Sequence, residues 1–489
     1  MASPSHHSVL KEELPDQPVI VYMPKDLEPD LNNTCWIFRV PEKLRKVNEA
    51  AYAPHLVTIG PLHHGNPKLN AMEHQKFKYE QQFWNRDSWK HIEEGKRIEF
   101  MDNLLPRIQS SDAVTFDFVP AVANNRLDFI RMILRDACFI FELFLRNYEN
   151  RSGDYILRTP WLKAGIKLDL IMLENQLPYF VFKELFDFIY SEDENGTESK
   201  NNHYLSGLNG ESKRSDFFKN ISCEFFLDYY SFGKLLAETT YMQMTKSTHK
   251  IRFADLVKDL KDGEIKILFK RIKHFTDLVG KFMLLGDQFP KKDDAMFCLC
   301  TATQLSRAGV KFVRCKENRV IADIKKKREP YPMFKGVYRN YLKLEIPELK
   351  VQGNTECIMR NVMALEQFVY PDELFICNYV FLLDQLISTA EDVEFMIDKK
   401  IVHNWLGSNE AVVRMVNKLC DQIVVSRYFY AGLRQRLNQY YDNPWNFFKA
   451  TLMRVYFKDL FPISSTIIGI VFLVFSSSLP IQLSRGLFF

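Results

Sequence analysis

The stretch that decides the fold is Leu168–Phe186, LDLIMLENQLPYFVFKELF. Leu170, Ile171, Leu173 and Leu177 recur at helical spacing, which predicts a buried helix in its first half. Pro178 lacks a backbone donor and biases Leu177 away from helical geometry, so a break is expected there. Tyr179–Phe186 reads as a second apolar helix, with Pro178 near its first turn. Between the two lie Glu174, Asn175 and Gln176. Polar groups buried there must be hydrogen-bonded, since each orphan costs about 1–3 kcal/mol. They are expected to cap a helix break as a structural network, the alternative being a polar site in a cleft.

Outward from this stretch, Arg126–Tyr148 (RLDFIRMILRDACFIFELFLRNY) is apolar enough to resemble a membrane span, but Arg131, Arg135, Asp136 and Glu142 argue for a core helix with its Arg131–Arg135 edge at solvent. Hydrophobic residues make up 46% of the 489-residue chain, enough for the core of one large domain or two ordinary ones. The 40 phenylalanines and 21 tyrosines point to aromatic packing. Basic and acidic residues nearly balance at net +4, which excludes a global nucleic-acid-binding field, and no nucleic-acid partner is expected. Nine scattered cysteines without a Cys-x-x-Cys fit reduced thiols better than a disulfide scaffold or a zinc site.

Residues 1–31 read as a flexible leader without the basic start and apolar core of a signal peptide. Trp36–Val40 and Leu56–Ile59 suggest short strands, and Gly60-Pro61 a turn. His63 and His64 are adjacent, and adjacent strand residues face opposite ways, so loop hydrogen bonding is expected rather than a shared metal. Leu69–Phe100, which includes Glu73 and His74, reads as one long helix or two. Ser191–Asp216 reads as a disordered surface insertion. Val310–Val313, Arg319–Ile324 and Tyr341–Ile346 suggest strands. The intervening basic run Lys325–Arg328 is expected at a solvated hairpin tip, the alternatives being a nuclear-import or anionic-lipid patch. Helical patterns return at Thr355–Phe368, Phe375–Val402 and Glu410–Leu437. The class is mainly α, a large helical domain over 32–458 with a small β element.

No charge occurs over the 25 residues Leu460–Ser484, where Pro462 and Pro480 bracket a 17-residue interior containing five serines. This predicts a C-terminal transmembrane helix at 460–484, acting as a single-pass tail anchor. Lys449, Arg454 and Lys458 before it, against Arg485 after it, place the large domain in the cytosol, at the plasma membrane or an endomembrane. Opposing this, Asn32, Asn150, Asn195 and Asn220 each begin a formal glycosylation triplet.

Several motifs, in order, carry a family resemblance: IFRVPEKLRKVNEAAYAPHLVTIGPLHHG, AMEHQKFKY, LRDACFIFELF, LDLIMLENQLPYFVF, TATQLSRAGVKF, LEIPEL, RNVMALEQF, HNWLGSNEAVVRMVNKL and NPWNFFKATLMRVYF. Together they resemble the plant domain-of-unknown-function 247 family over roughly residues 35–480. The chain departs from its pattern at His249–Leu256, HKIRFADL. The resemblance implies a plant-specific protein with a C-terminal membrane segment and no established catalysis or cofactor. For grass members at self-incompatibility loci it implies a pollen-side recognition role.

The residues show no Gly-rich phosphate loop, G-x-S-x-G or H-E-x-x-H, so no catalytic, metal or cofactor residues are assigned. The expected function is a membrane-anchored recognition or signalling protein with protein partners. The alternatives are an enzyme using Glu174, Asn175, Gln176, His63, His64 and Glu73, or a soluble or nuclear interaction protein.

Overall fold

In the computed structural model the described residues are 36–111, 126–195, 211–226, 229, 271–284, 298–315, 323–330, 338–425, 428–455 and 469. From the amino terminus, α1 (Glu42–Val47) precedes α2 (Asn70–Trp84) and α3 (Glu94–Ser111). Then come α4 (Arg126–Tyr148), the one-turn α5 (Tyr155–Arg158), α6 (Pro160–Asp169), α7 (Tyr179–Asn195) and α8 (Glu211–Phe225). After α9 (Phe275–Met283) and α10 (Ala302–Arg307) the chain forms β1 (Lys311–Arg314), β2 (Asp323–Pro330), β3 (Tyr338–Ile346) and β4 (Leu349–Val351). It closes with α11 (Thr355–Val369), α12 (Phe375–Leu386), α13 (Ala390–Asp398), β5 (Val402–Asn404), α14 (Asn409–Cys420), α15 (Ala431–Tyr441) and α16 (Pro444–Val455).

Among the described residues the architecture is mainly helical with two small sheets; a smaller apolar core gathers Val40, Leu44, Tyr52, Leu173 and Leu365, and the larger one runs from Val57 to Leu437. Its centre is α4, whose Phe139, Phe141 and Phe144 are fully buried. Each such ring contributes about 1.5–3 kcal/mol over leaving it exposed. The Phe141 ring lies 5.4 Å from those of Phe186 and Phe218, and Phe144 lies 4.6 Å from Phe225, so α7 and α8 clasp α4 through aromatic contacts. The charges on α4 sort by depth. Arg131 is exposed, whereas buried Glu142 accepts from Arg86 at 2.7 Å and Arg146 at 2.6 Å. The helical run expected over Leu69–Phe100 divides, α2 ending at Trp84 and α3 beginning at Glu94.

In the larger sheet β3 is central, parallel to β1 and antiparallel to β2. The basic run Lys325–Arg328 lies within β2, paired with Lys343 through Asn340, and not at a hairpin tip. β4 and β5 form a separate parallel pair. The insertion expected at 191–216 has helical ends, since α7 reaches Asn195 and α8 starts at Glu211; 196–210 fall outside the described residues, as does the leader 1–31.

The transmembrane helix expected at Leu460–Ser484 is overturned, and with it the single-pass localisation. Among the described residues no helix is long and apolar enough to cross a membrane. Physically, the 17-residue interior between Pro462 and Pro480 sits at the short end of the roughly 17–25 residues a span needs, and its five serines dilute it further. The longest described helix, α4 with 23 residues, carries buried ion pairs and is wrapped by protein. Of 460–484 only Gly469 is among the described residues.

Candidate functional site

The helix expected across Leu168–Leu177 stops at Asp169, and 170–178 follow as turns. Yet Leu170 through Leu177 are each at most 1% exposed, so the apolar spacing marks burial and not helix. The cause lies in the polar side chains. Asn175 Nδ2 donates to the Asp169 carbonyl at 2.9 Å, and Gln176 Nε2 donates to the carbonyls of Leu170 and Met172 at 2.7 and 2.8 Å. They occupy acceptors that a continuing helix would use. Pro178 then precedes the first residue of α7, as read from sequence.

Facing this turn is His55–Gly60, part of which was expected to be a strand. It pairs with side chains instead of with a neighbouring strand. The Asp169 carboxylate accepts from Leu56 N at 2.6 Å and Val57 N at 2.9 Å. Asn175 Oδ1 accepts from Ile59 N at 2.7 Å, and its Nδ2 also donates to the Val57 carbonyl at 3.0 Å. Gly60 N donates to Asp136 at 2.9 Å, and Lys76 donates to the Thr58 carbonyl at 2.9 Å. Buried amides need acceptors from somewhere, and here carboxylates and an amide supply what a partner strand would. The strand expected at Trp36–Val40 is likewise reduced to a bridge, Trp36 and Ile37 both donating to the Ser111 carbonyl.

Glu174 closes the arrangement. Its Oε1 accepts from Val40 N at 2.8 Å and Arg45 at 2.9 Å; its Oε2 accepts from Arg45 at 2.8 Å and lies 3.2 Å from His63 Nε2. Gln176 Oε1 accepts from Phe275 N at 3.0 Å, tying in α9. Of the residues singled out from sequence, Glu174, Asn175, Gln176 and His63 come together. Glu73 joins at the edge, accepting from Thr58 at 2.9 Å and pairing with Lys76 at 2.6 Å. His64 stays apart from Glu174, its buried Nδ1 lacking a partner among the described residues, and His74 turns to the Asn70 carbonyl.

Sequence reasoning missed Asp169, Asp136, Lys76 and Asn361 as members. Asn361, on α11, accepts from Leu173 N at 2.8 Å and donates to the Ala51 carbonyl at 2.7 Å. Asp136 and Asn361 share a signal, a polar residue set inside an apolar helical run, in LRDACFIFELF and RNVMALEQF, whereas Lys76 lies in a largely polar helix that carries none. Burial pushes the Asp136 carboxyl above its ordinary range, against the pull of Lys76, which lies 2.5 Å away. The chemistry of this knot is that of a cap, with its acceptors aimed at backbone N–H groups. Among the described residues no cluster of three His, Cys, Asp or Glu has metal-binding geometry.

The glycosylation triplets differ in access. Asn150 sits in an exposed turn with φ 54°. Asn220 lies half-buried in α8, and its triplet's Ser222 is fully buried, donating to the Phe218 carbonyl at 2.7 Å. Asn195 is the last residue of α7, and Asn32 is outside the described residues. A different surface presents itself on α16. Trp445 and Phe448, one turn apart with ring centroids 6.1 Å from each other, are 67% and 56% exposed, with Phe447 beside them.

A family model described as a plant protein of unknown function matches residues 37–475. A UPF0481 protein of Arabidopsis thaliana is 26% identical over 442 residues, covering 87% of this chain and 82% of its own. A second UPF0481 protein of the same plant is 21% identical over 514 residues, covering 94% and 93% respectively. No solved structure matches. With the model spanning nearly the whole of the knot, both sheets and α16, the chain belongs to the DUF247 family of plant proteins of unknown function.

Proposed function

We propose that the protein is a plant recognition module that acts by binding a protein partner and not by catalysis. The observation that carries this reading is the aromatic cluster Trp445, Phe447 and Phe448 on α16. Large rings grouped at solvent on a rigid helix are the side chains from which binding hot spots are built. Supporting it, the polar groups from which an enzyme reading starts, Glu174, Asn175 and Gln176, are engaged with the chain's own backbone and with Arg45 and His63. The test is photo-crosslinking in plant cells, with a benzophenone side chain at Phe447 of the full-length chain and at exposed Glu394 as a control. A discrete protein adduct from position 447 alone, abolished by Trp445→Ala/Phe448→Ala, is expected. Adducts that are identical from both positions would refute the reading. Its narrowest form is a pollen-side determinant of self-incompatibility. That form requires that exchanging residues 191–216 between allelic forms alters partner choice at constant melting temperature; unaltered choice removes it.

A further inference from the structure

Below α16 a cleft of about 490 Å³ opens between that helix, the α10–β1 turn, β1, β3 and the end of α13. Gly309 makes it. With φ +98°, it lets α16 approach so closely that a side-chain carbon there would stand 3.1 Å from Ala450 Cβ. Four cations line the cleft, Lys311, Lys399, Lys449 and Arg454, and none of the described lining residues is acidic. Lys399, Lys449 and Arg454 form no ion pair among the described residues. Among the described residues Arg454 donates to the Ser306 and Arg307 carbonyls, at 3.3 and 3.4 Å. The walls are flat and aromatic: Phe312, Tyr341, Phe395 and Tyr440. Lys311 lies over the Tyr341 ring at 4.2 Å and Lys399 over Phe395 at 5.3 Å, so charge and ring are presented side by side.

Like charges held at the rim of a low-dielectric cleft raise the local positive potential, and a bound anion relieves it. The volume is in the range of small-molecule sites, roughly 300–1,000 Å³. Three of the four cations are lysines, point charges that impose no fixed fork, so the head group is recognised by charge more than by planar shape. We propose that this cleft binds a small organic anion, a carboxylate, sulfonate or phosphate carried on a flat apolar body. The ring packs against the wall formed by Phe312, Tyr341 and Phe395, and the acid group lies between Lys399, Lys449 and Arg454. This goes beyond partner recognition through Trp445 and Phe448, which do not line the cleft.

The experiment titrates the full-length protein with 8-anilinonaphthalene-1-sulfonate, an aromatic anion, and with N-phenyl-1-naphthylamine, its neutral counterpart. Inorganic phosphate serves as an anion without a ring. A single saturable sulfonate site is expected, weakened by added salt. Its Kd should rise about tenfold or more in Lys399→Gln/Lys449→Gln, as loss of two charge-assisted contacts implies. The neutral probe should bind the two proteins alike, and phosphate should compete weakly. Trp445→Ala/Phe448→Ala should leave the sulfonate affinity unchanged. Equal binding of charged and neutral probes, unaltered by salt and by the lysine changes, would overturn the proposal. So would loss of the site on removal of Trp445 and Phe448. Because salt dependence is read on the unmodified protein, a lysine variant that folds poorly leaves the test intact.

Discussion

Gly60 brings the backbone so close to the Gln176 carbonyl that a side-chain carbon at Gly60 would stand inside contact distance of that oxygen. The residue also has φ +75°. Gly65, five residues on, has φ +77° but open space around it. Gly60→Ala is therefore expected to cost about 3 kcal/mol and Gly65→Ala about 1 kcal/mol, the difference measuring the close approach alone. Urea unfolding of the pair checks this, and equal losses would mean that the turn yields to a methyl group.

Glu174 has no exposed side-chain surface and holds Val40 N, Arg45 and His63 together. Glu174→Leu leaves a half-buried guanidinium and a buried amide without their acceptor, so a loss of about 3–5 kcal/mol is expected. Glu174→Gln keeps an acceptor for Val40 N and should lose less. An unchanged melting temperature for the leucine variant would refute the idea that the knot is structural.

Two buried groups give opposite pH dependences. Burial holds His274 down to about 4 from its ordinary 6.5, and its Nδ1 accepts from Asp277 N at the start of α9. Between those values the unfolded chain takes up the extra proton, so His274 makes stability fall as pH drops. Burial raises Glu366 to about 7 from 4.5, despite the amides of Ile376 and Cys377 that it accepts at the start of α12. There the folded chain holds the extra proton, and its contribution is lost as pH rises through that window. The two slopes oppose each other between about pH 4.5 and 6.5. In Glu366→Gln only the His274 slope remains, so on acidification this variant should lose about 2–3 kcal/mol more than the native protein across that range. Denaturant midpoints at both ends decide it, and parallel curves would show that Glu366 titrates normally in the fold.

Arg434 on α15 is fully buried, and among the described residues none of its three guanidinium nitrogens has a hydrogen-bond partner. Its contacts are ring faces, Phe381 at 4.8 Å and Tyr428 at 5.8 Å, and burial lowers its pKa. An unpaired buried charge costs more than cation–π contact returns. Arg434→Met is expected to stabilise the protein by about 1–2 kcal/mol, read as a raised melting temperature. A fall of that size would mean that the rings hold the charge in place.

Legibility in the sequence followed chemistry. The 23 residues of α4 were plain because apolar side chains dominate a long run, and α11 because Ile358, Val362, Leu365 and Phe368 repeat at helical spacing. β1 and β3 were legible from short β-branched or alternating runs; the strand expected at Arg319–Ile324 reaches only the start of β2, whose continuation through Lys325–Arg328 was hidden by its basic composition. The 170–178 turn was misread because burial and helix leave the same apolar spacing, and only side-chain hydrogen bonds to carbonyls separate them. Glu174 to Gln176 could be placed in a buried network from composition alone. Their partners could not, because Val40, Ile59 and Phe275 contribute backbone amides, which every sequence has. The span expected at Leu460–Ser484 rested on length and absence of charge, which describe composition alone; among the described residues no helix is long and apolar enough to cross a membrane.

The distances along the chain within the knot set the order in which it can form. Asn48 donates to Glu356 across 308 residues, and Asn361 reaches Ala51 across 310. On a ribosome adding about 5–20 residues per second, the amino-terminal segment therefore waits roughly 15–60 s for α11 to emerge. Until then the Ala51 carbonyl and the Asn48 side chain lack their partners on α11, and closing this long loop is a slow, late step of folding. A chain released before α11 is made would keep His55–Gly60 bound to Asp169, Asn175 and Asp136 but leave Asn48, the Ala51 carbonyl and the Leu173 amide without their partners, an opening for proteolytic clearance.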